Sequence, residues 1–209
     1  MDQEDMPRVQ DGLRFGPLGD HCLHLCVDMQ NLFSKGSPWE TPWMERVLPA
    51  VEALAERHAE QTIFTRFIPL RSPREGRGTW RRYYERWSEM RLDALPPGAI
   101  DLLPPLMRFV PPGELLDKTV YSPWSGPELE ERLRARGVDT LVITGAETDV
   151  CVLAAVLGAV DRGYRVVLPT DALCSSSDRT HDALLALYRE RYGQQVETVR
   201  MGEILSAWD

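Results

Sequence analysis

The sequence predicts an α/β protein in which a mainly parallel sheet of about six strands is covered by helices on both faces. Two observations lead there. Short apolar runs bounded by Gly, Pro or charge alternate with longer stretches whose apolar residues recur at helical spacing. The chain has 209 residues, 43% of them hydrophobic, which suits one domain spanning 1–209 with a full core. No internal repeat or low-complexity run interrupts the pattern.

Residues 1–20 carry Pro, Gly and charge without periodicity and read as an irregular lead-in. Cys22 to Val27 is a first buried strand, ending at Asp28. Pro42 to His58 places Met44, Val47, Leu48, Val51, Leu54 and Ala55 on one helical face. Gln61 to Phe67 is a second strand. Residues 69–113 are the least regular part, rich in Pro, Arg and aromatic residues, with a short helix at Thr79 to Glu89. Long connections of this kind are often functional, and this one is expected to line a pocket. Glu114 to Asp117 is a short strand. Ser125-Gly-Pro-Glu128 reads as a capping box that opens a helix to Arg136, stopped by Gly137. Then follow a strand at Thr140 to Thr144, a helix at Asp149 to Arg162, a strand at Tyr164 to Leu168 and a helix at Asp178 to Tyr192. A last strand, Gln195 to Val199, precedes a short closing helix.

Composition narrows the function. The net charge of −8 argues against a nucleic-acid partner. Arg71, Arg74, Arg77, Arg81 and Arg82 do cluster, but acidic and aromatic residues interleave with them. The acidic start, Met1 to Asp5, is unlike a signal peptide, and no apolar run is long enough to span a bilayer. No membrane partner and a cytoplasmic location are therefore expected. Cys22, Cys26, Cys151 and Cys174 form no CxxC pair and read as free thiols. Cys22 and Cys26 alternate with His21 and His24, where strand packing is preferred over a metal site.

Only Lys35 and Lys118 are lysine, against 22 arginines. A position that keeps Lys in such a chain can be one that needs an amine able to lose its proton. Lys35 sits in a Ser-Lys-Gly-Ser loop and reads as a surface residue, whereas Lys118 ends an apolar strand.

Ligands of open α/β sheets bind beyond the carboxyl ends of the strands. That rule selects Asp28, Lys118 and the segment Gly145-Ala-Glu-Thr-Asp-Val-Cys151. With Thr148 as N-cap, Cys151 occupies the third helical position. There the helix dipole lowers a thiol pKa, and unpaired N–H groups can hold an oxyanion. Each residue also has a plainer reading: Cys151 as a buried structural thiol, Asp28 as a turn cap, Lys118 as a strand-end surface residue. Cys174 reads as a loop or core thiol. Trp80, Tyr83, Tyr84 and Trp87 have helical spacing and form either a core stripe or one pocket wall.

Taken in order, Asp28 in Val-Asp-Met-Gln-Asn, Lys118 in Asp-Lys-Thr-Val-Tyr-Ser-Pro-Trp and Cys151 in Gly-Ala-Glu-Thr-Asp-Val-Cys-Val resemble the isochorismatase-like cysteine hydrolase family. The resemblance covers roughly residues 21–200 and implies a three-layer α/β/α fold with an Asp-Lys-Cys triad. Cys151 would be the nucleophile, Asp28 the general base and acid, and Lys118 their electrostatic partner. It also implies a non-proline cis peptide at Ala146–Glu147 that aims backbone N–H groups, including that of Cys151, at an oxyanion. A homo-oligomer, dimer or tetramer, is implied as well. Arg66, Trp80, Tyr84 and Trp124 are the side chains expected to contact a small-molecule substrate.

Nicotinamidases of this family add a metal site of Asp and His residues after the second strand. Here Thr65-Arg-Phe-Ile-Pro-Leu-Arg71 has no His, so no metal and no other cofactor is expected. Isochorismate-cleaving members lack the nucleophilic cysteine, so its presence favours hydrolysis of an amide, ureide or imide C–N bond. A vinyl-ether hydrolase and a non-catalytic small-molecule-binding relative are the alternatives. Elemental analysis of the purified protein is predicted to show no stoichiometric zinc, iron or manganese. Activity lost to a chelator and restored by metal would contradict that.

Overall fold

A computed structural model describes residues 11–208. The strands are β1 (Cys22–Val27), β2 (Thr62–Phe67), β3 (Glu114–Lys118), β4 (Thr140–Ala146), β5 (Arg165–Pro169), β6 (Leu173–Cys174) and β7 (Val196–Val199). The helices are α1 (Met44–Arg57), α2 (Thr79–Arg86), α3 (Pro104–Met107), α4 (Glu128–Ala135), α5 (Cys151–Asp161), α6 (Asp178–Arg191) and α7 (Met201–Ala207). All strand pairings are parallel, in the order β3-β2-β1-β4-β5-β7, with β6 paired to the end of β4.

The sheet is buried on both faces, and its side chains alternate between two cores, as the period of two in a strand requires. Cys22, Cys26, Phe64, Val142 and Val167 pack toward α1 and α7. Leu23, Leu25, Ile63, Leu141, Ile143 and Val166 pack toward α4, α5 and α6. This is the expected three-layer α/β/α arrangement. It has seven strands rather than six, because β6 holds two residues, too few to leave a period in the sequence. Among the described residues no helix is long and apolar enough to cross a membrane.

Local differences have local causes. The expected capping box at Ser125 is absent: Pro127 is the N-cap of α4 and no side chain caps it. Helix α5 begins at Cys151 rather than Asp149, so Cys151 is its first residue and not its third. Thr148 is drawn away from capping, because its hydroxyl faces the Cys174 carbonyl at 3.1 Å and His181 Nδ1 at 2.9 Å.

The chain runs from β1 outward to β2 and β3, then returns past β1 to β4. The order therefore reverses between β1 and β4, the switch point at which such sheets open a cleft. Two features hold that point closed from below. Gly145 has φ +106°, and a Cβ there would lie 2.1 Å from the Val27 carbonyl oxygen, so only glycine lets β4 pass so close to β1. His24 on β1 is fully buried between Thr62 Oγ1 at 3.2 Å and Thr144 Oγ1 at 2.8 Å.

Burial, with the nearby His58 adding to it, lowers the His24 pKa to about 3. The unfolded chain takes up that proton near pH 6.5, the folded chain only near pH 3. The stability that this neutral imidazole contributes is full above the unfolded value and falls as pH drops through that window, by up to about 1.4 kcal/mol per pH unit. Replacing His24 by Gln is predicted to shrink the stability lost between about pH 7 and pH 4, by about 2–3 kcal/mol. Urea unfolding of both chains across that range measures it, and parallel pH profiles would contradict it.

Candidate active site

Three strand ends converge on one point. Asp28 follows β1, Lys118 ends β3, and Cys151 opens α5 just beyond β4. Asp28 is the one non-glycine residue among those described with positive φ, at 50°, so the chain turns sharply where its carboxylate leaves β1. Its backbone N–H reaches the Thr65 carbonyl at 3.2 Å, and the Thr65 hydroxyl donates to Asp28 Oδ1 at 2.6 Å. The other carboxylate oxygen accepts from Lys118 Nζ at 2.6 Å. Lys118 Nζ also donates to the Val120 carbonyl at 3.3 Å and to Cys151 Sγ at 3.4 Å. All three ammonium protons thus have acceptors, which suits the charged amine.

The site is dry. Asp28 is fully buried, Lys118 is 4% exposed and Cys151 5% exposed. Burial acts to lower the Lys118 pKa, but the Asp28 carboxylate and Cys151 together outweigh it and hold the group above its ordinary value. Lys118 therefore stays an ammonium; the lysine is kept for its charge and reach and not for proton loss. Cys151 goes the other way. Burial pushes its thiol pKa well up, the Asp28 charge adds to that, and Lys118 offsets only part. The sequence expectation of a lowered pKa is thus reversed, because a thiolate would put a second anion into a buried site that holds one cation.

The same arrangement permits an internal transfer. Moving the thiol proton to Asp28 leaves the total charge of the three groups unchanged, while releasing it to solvent does not. The Ala146–Glu147 peptide is cis, as the resemblance implied. The turn that follows places the N–H groups of Val150 and Val152 on the Glu147 carbonyl, both at 3.0 Å. The backbone N–H of Cys151, between them, has no partner among the described residues and can accept the charge of an oxyanion beside Sγ.

Above Cys151 lies a cavity of about 350 Å³, within the range of small-molecule pockets. Its walls come from the loop after β1 (Phe33, Trp39, Glu40), from Phe67 on β2, from Tyr83 on α2 and Trp87 just after it, and from Tyr121 and Glu147. None of the four side chains expected to contact a substrate lines it. Arg66 points to the other face of β2, where it makes a two-pronged pair with Asp117 at 2.8 and 2.9 Å. Trp124 lies on the far side of α5: its indole covers Gly158 and donates to the Ala155 carbonyl at 2.9 Å. On α2 the error is one of helical phase. Trp80 and Tyr84 form one i, i+4 pair turned away from the cavity, Tyr84 fully buried, while Tyr83 and Trp87 form the pair that faces it.

Thr65 and Gln30 were not singled out from the sequence. Gln30, in the same motif as Asp28, clamps the end of β2: its amide accepts from Phe67 N at 2.7 Å and donates to the Phe67 carbonyl at 3.1 Å. Both residues are polar within otherwise apolar strand ends, and that contrast was the available signal. Among the described residues, no group of three or more His, Cys, Asp or Glu side chains is placed to hold a metal ion.

A buried Asp–Lys pair against a cysteine at a helix start, beyond the strand ends of a parallel sheet, defines the class: a three-layer α/β protein with an Asp-Lys-Cys cluster at its switch point. Residues 22–200 match the isochorismatase domain, and the chain belongs to the isochorismatase family. An uncharacterized isochorismatase family protein of Bacillus subtilis, PncA, is 35% identical over 81 residues, covering 39% of this chain and 44% of that protein. The chain thus aligns with less than half the length of that relative. The N-carbamoylsarcosine amidase of an Arthrobacter species is 27% identical over 157 residues, 70% of this chain and 57% of that enzyme. The crystal structure of a cysteine hydrolase from Pseudomonas syringae pv. phaseolicola superposes with a TM-score of 0.79 at 19% identity, covering 97% of each chain. At that identity it speaks for the fold alone.

The ion pair makes a direct prediction. Asp28→Leu or Lys118→Met alone strands a buried charge and should cost roughly 3–5 kcal/mol of stability. The double substitution removes both charges and should recover most of that loss. Chemical denaturation of the three variants tests it; single substitutions with negligible effect would show that the pair is not buried.

Proposed function

We propose that this chain hydrolyses a C–N bond of a small-molecule amide, ureide or imide through a covalent acyl-enzyme on Cys151. The observation that carries the reading is the contact set of Lys118 Nζ, 2.6 Å from Asp28 and 3.4 Å from Cys151 Sγ, at the floor of a small-molecule cavity. Asp28 takes the thiol proton as Sγ attacks the carbonyl carbon. The negative charge moves to the carbonyl oxygen, beside the unpartnered N–H of Cys151. The C–N bond then breaks, and Asp28 returns the proton to the leaving nitrogen. Water enters, Asp28 takes one of its protons, hydroxide attack on the thioester breaks the C–S bond and releases the acid, and Asp28 returns the proton to Sγ to restore the thiol. Lys118 remains charged throughout and holds Asp28 and Sγ in register. Similarity to an amidase supports a C–N bond as the target.

A panel of primary amides, ureides and cyclic imides assayed for ammonia release tests the reading, with intact-mass detection of the acyl adduct. Cys151→Ala should reduce turnover by roughly a thousandfold or more and abolish the adduct. Turnover that survives Cys151→Ala would point instead to vinyl-ether hydrolysis without a covalent step.

A further inference from the structure

Amide hydrolysis does not by itself require the cavity walls found here. Trp39 is the hub of an aromatic cage, with Phe33 at 6.2 Å, Phe67 at 6.0 Å, Tyr83 at 5.7 Å and Trp87 at 6.2 Å between ring centroids. These rings come from three separate segments, the loop after β1, strand β2 and the α2 region, so the cage is not the by-product of one amphipathic element.

The charged groups of the lining are both carboxylates. Glu40 stands next to Trp39, and Glu147 lies beside Cys151. Glu40 accepts from the Gly36 N–H at 2.8 Å and Glu147 from the Ser176 hydroxyl at 2.9 Å. Neither is in a salt bridge among the described residues. No described Arg, Lys or His lines the cavity, although the chain has 22 arginines. Lys118 lies beneath the floor and is already matched by Asp28.

Ring faces carry the negative end of the aromatic quadrupole, and carboxylates add to it. An anionic acyl group would meet two carboxylates and several ring faces without a counter-cation. A neutral group would desolvate the carboxylates without compensating them. A cation is matched by both features. We infer that the substrate carries a cationic head, a quaternary or protonated amine, held among Trp39, Tyr83 and Trp87 and facing Glu40 and Glu147, with its scissile carbonyl at Cys151. The placing of the carbonyl rests on the amide-hydrolase reading; the cation subsite does not.

The test therefore begins without a scissile bond. Tryptophan fluorescence of the Cys151→Ala chain is titrated with choline, with its uncharged carbon isostere neohexyl alcohol, and with the tert-butylacetate anion. Choline should bind at least roughly tenfold more tightly than neohexyl alcohol, and tert-butylacetate most weakly. Glu40→Gln and Glu147→Gln, each checked for an unchanged melting temperature, should each weaken choline roughly threefold or more and leave neohexyl alcohol unchanged. Equal binding of choline and neohexyl alcohol, or tighter binding of the anion, overturns the inference. In the wild type, ammonia release is then compared for betaine amide and the uncharged tert-butylacetamide, with betaine amide expected to have the higher kcat/KM. Selective choline binding without turnover of any amide would remove the amide reading and leave the cation subsite standing. Hydrolysis of neutral amides without choline selectivity would do the reverse.

Discussion

The buried pair of Asp28 and Lys118 is the interaction on which the rest of the site depends. Burial acts against the Lys118 charge, and Lys118 keeps it because Asp28 stands 2.6 Å away. Lys118 belongs to β3 and Asp28 to β1, with β2 between them, so the long lysine side chain must cross a strand to make the contact. It crosses over Phe67, whose ring centroid lies 5.2 Å from Nζ. An arginine, with its planar fork, would not supply the same compact, three-proton cation. The pair thus gives a physical reason for lysine at this position in a chain that otherwise uses arginine almost throughout.

Cys151 inherits its chemistry from that pair. The site has one cation and one anion before the thiol ionises, so a resting thiolate would be an uncompensated charge in a buried environment. Burial favours a neutral thiol, and Asp28, joined to Sγ through Lys118, is the acceptor for its proton. Topology makes this possible. The sheet order reverses between β1 and β4, Gly145 lets the two strands approach, and the cis peptide after it turns the chain so that α5 starts with Sγ over the pair.

The fold was legible because both signals that define it are local. Apolar runs of strand length alternate with helical periodicity, and every long element lies within a few residues of where the sequence placed it. The two-residue β6 was not legible, having no period, and neither was the start of α5, because Thr148 is recruited by Cys174 and His181 through contacts distant in sequence. Asp28, Lys118 and Cys151 could be picked out because strand ends are fixed by the fold class. The cavity walls could not. Arg66 and Phe67 are neighbours on one strand and face opposite ways, and Tyr83 and Tyr84 divide between cavity and core. Choosing between adjacent residues requires the phase of the element, which periodicity in a short aromatic stretch does not set. Trp124 was misplaced for a related reason: its partner is Gly158, where the missing side chain makes room for the indole.

Burial, with the Asp28 charge beside it, keeps Cys151 a neutral thiol until the proton passes to Asp28. Ultraviolet thiolate absorbance, taken as the difference between the wild type and Cys151→Ala across pH, measures this most directly. The account predicts no thiolate signal from Cys151 at neutral pH and its appearance only well into the alkaline range, above the ordinary thiol value. A thiolate signal already present at neutral pH would contradict it.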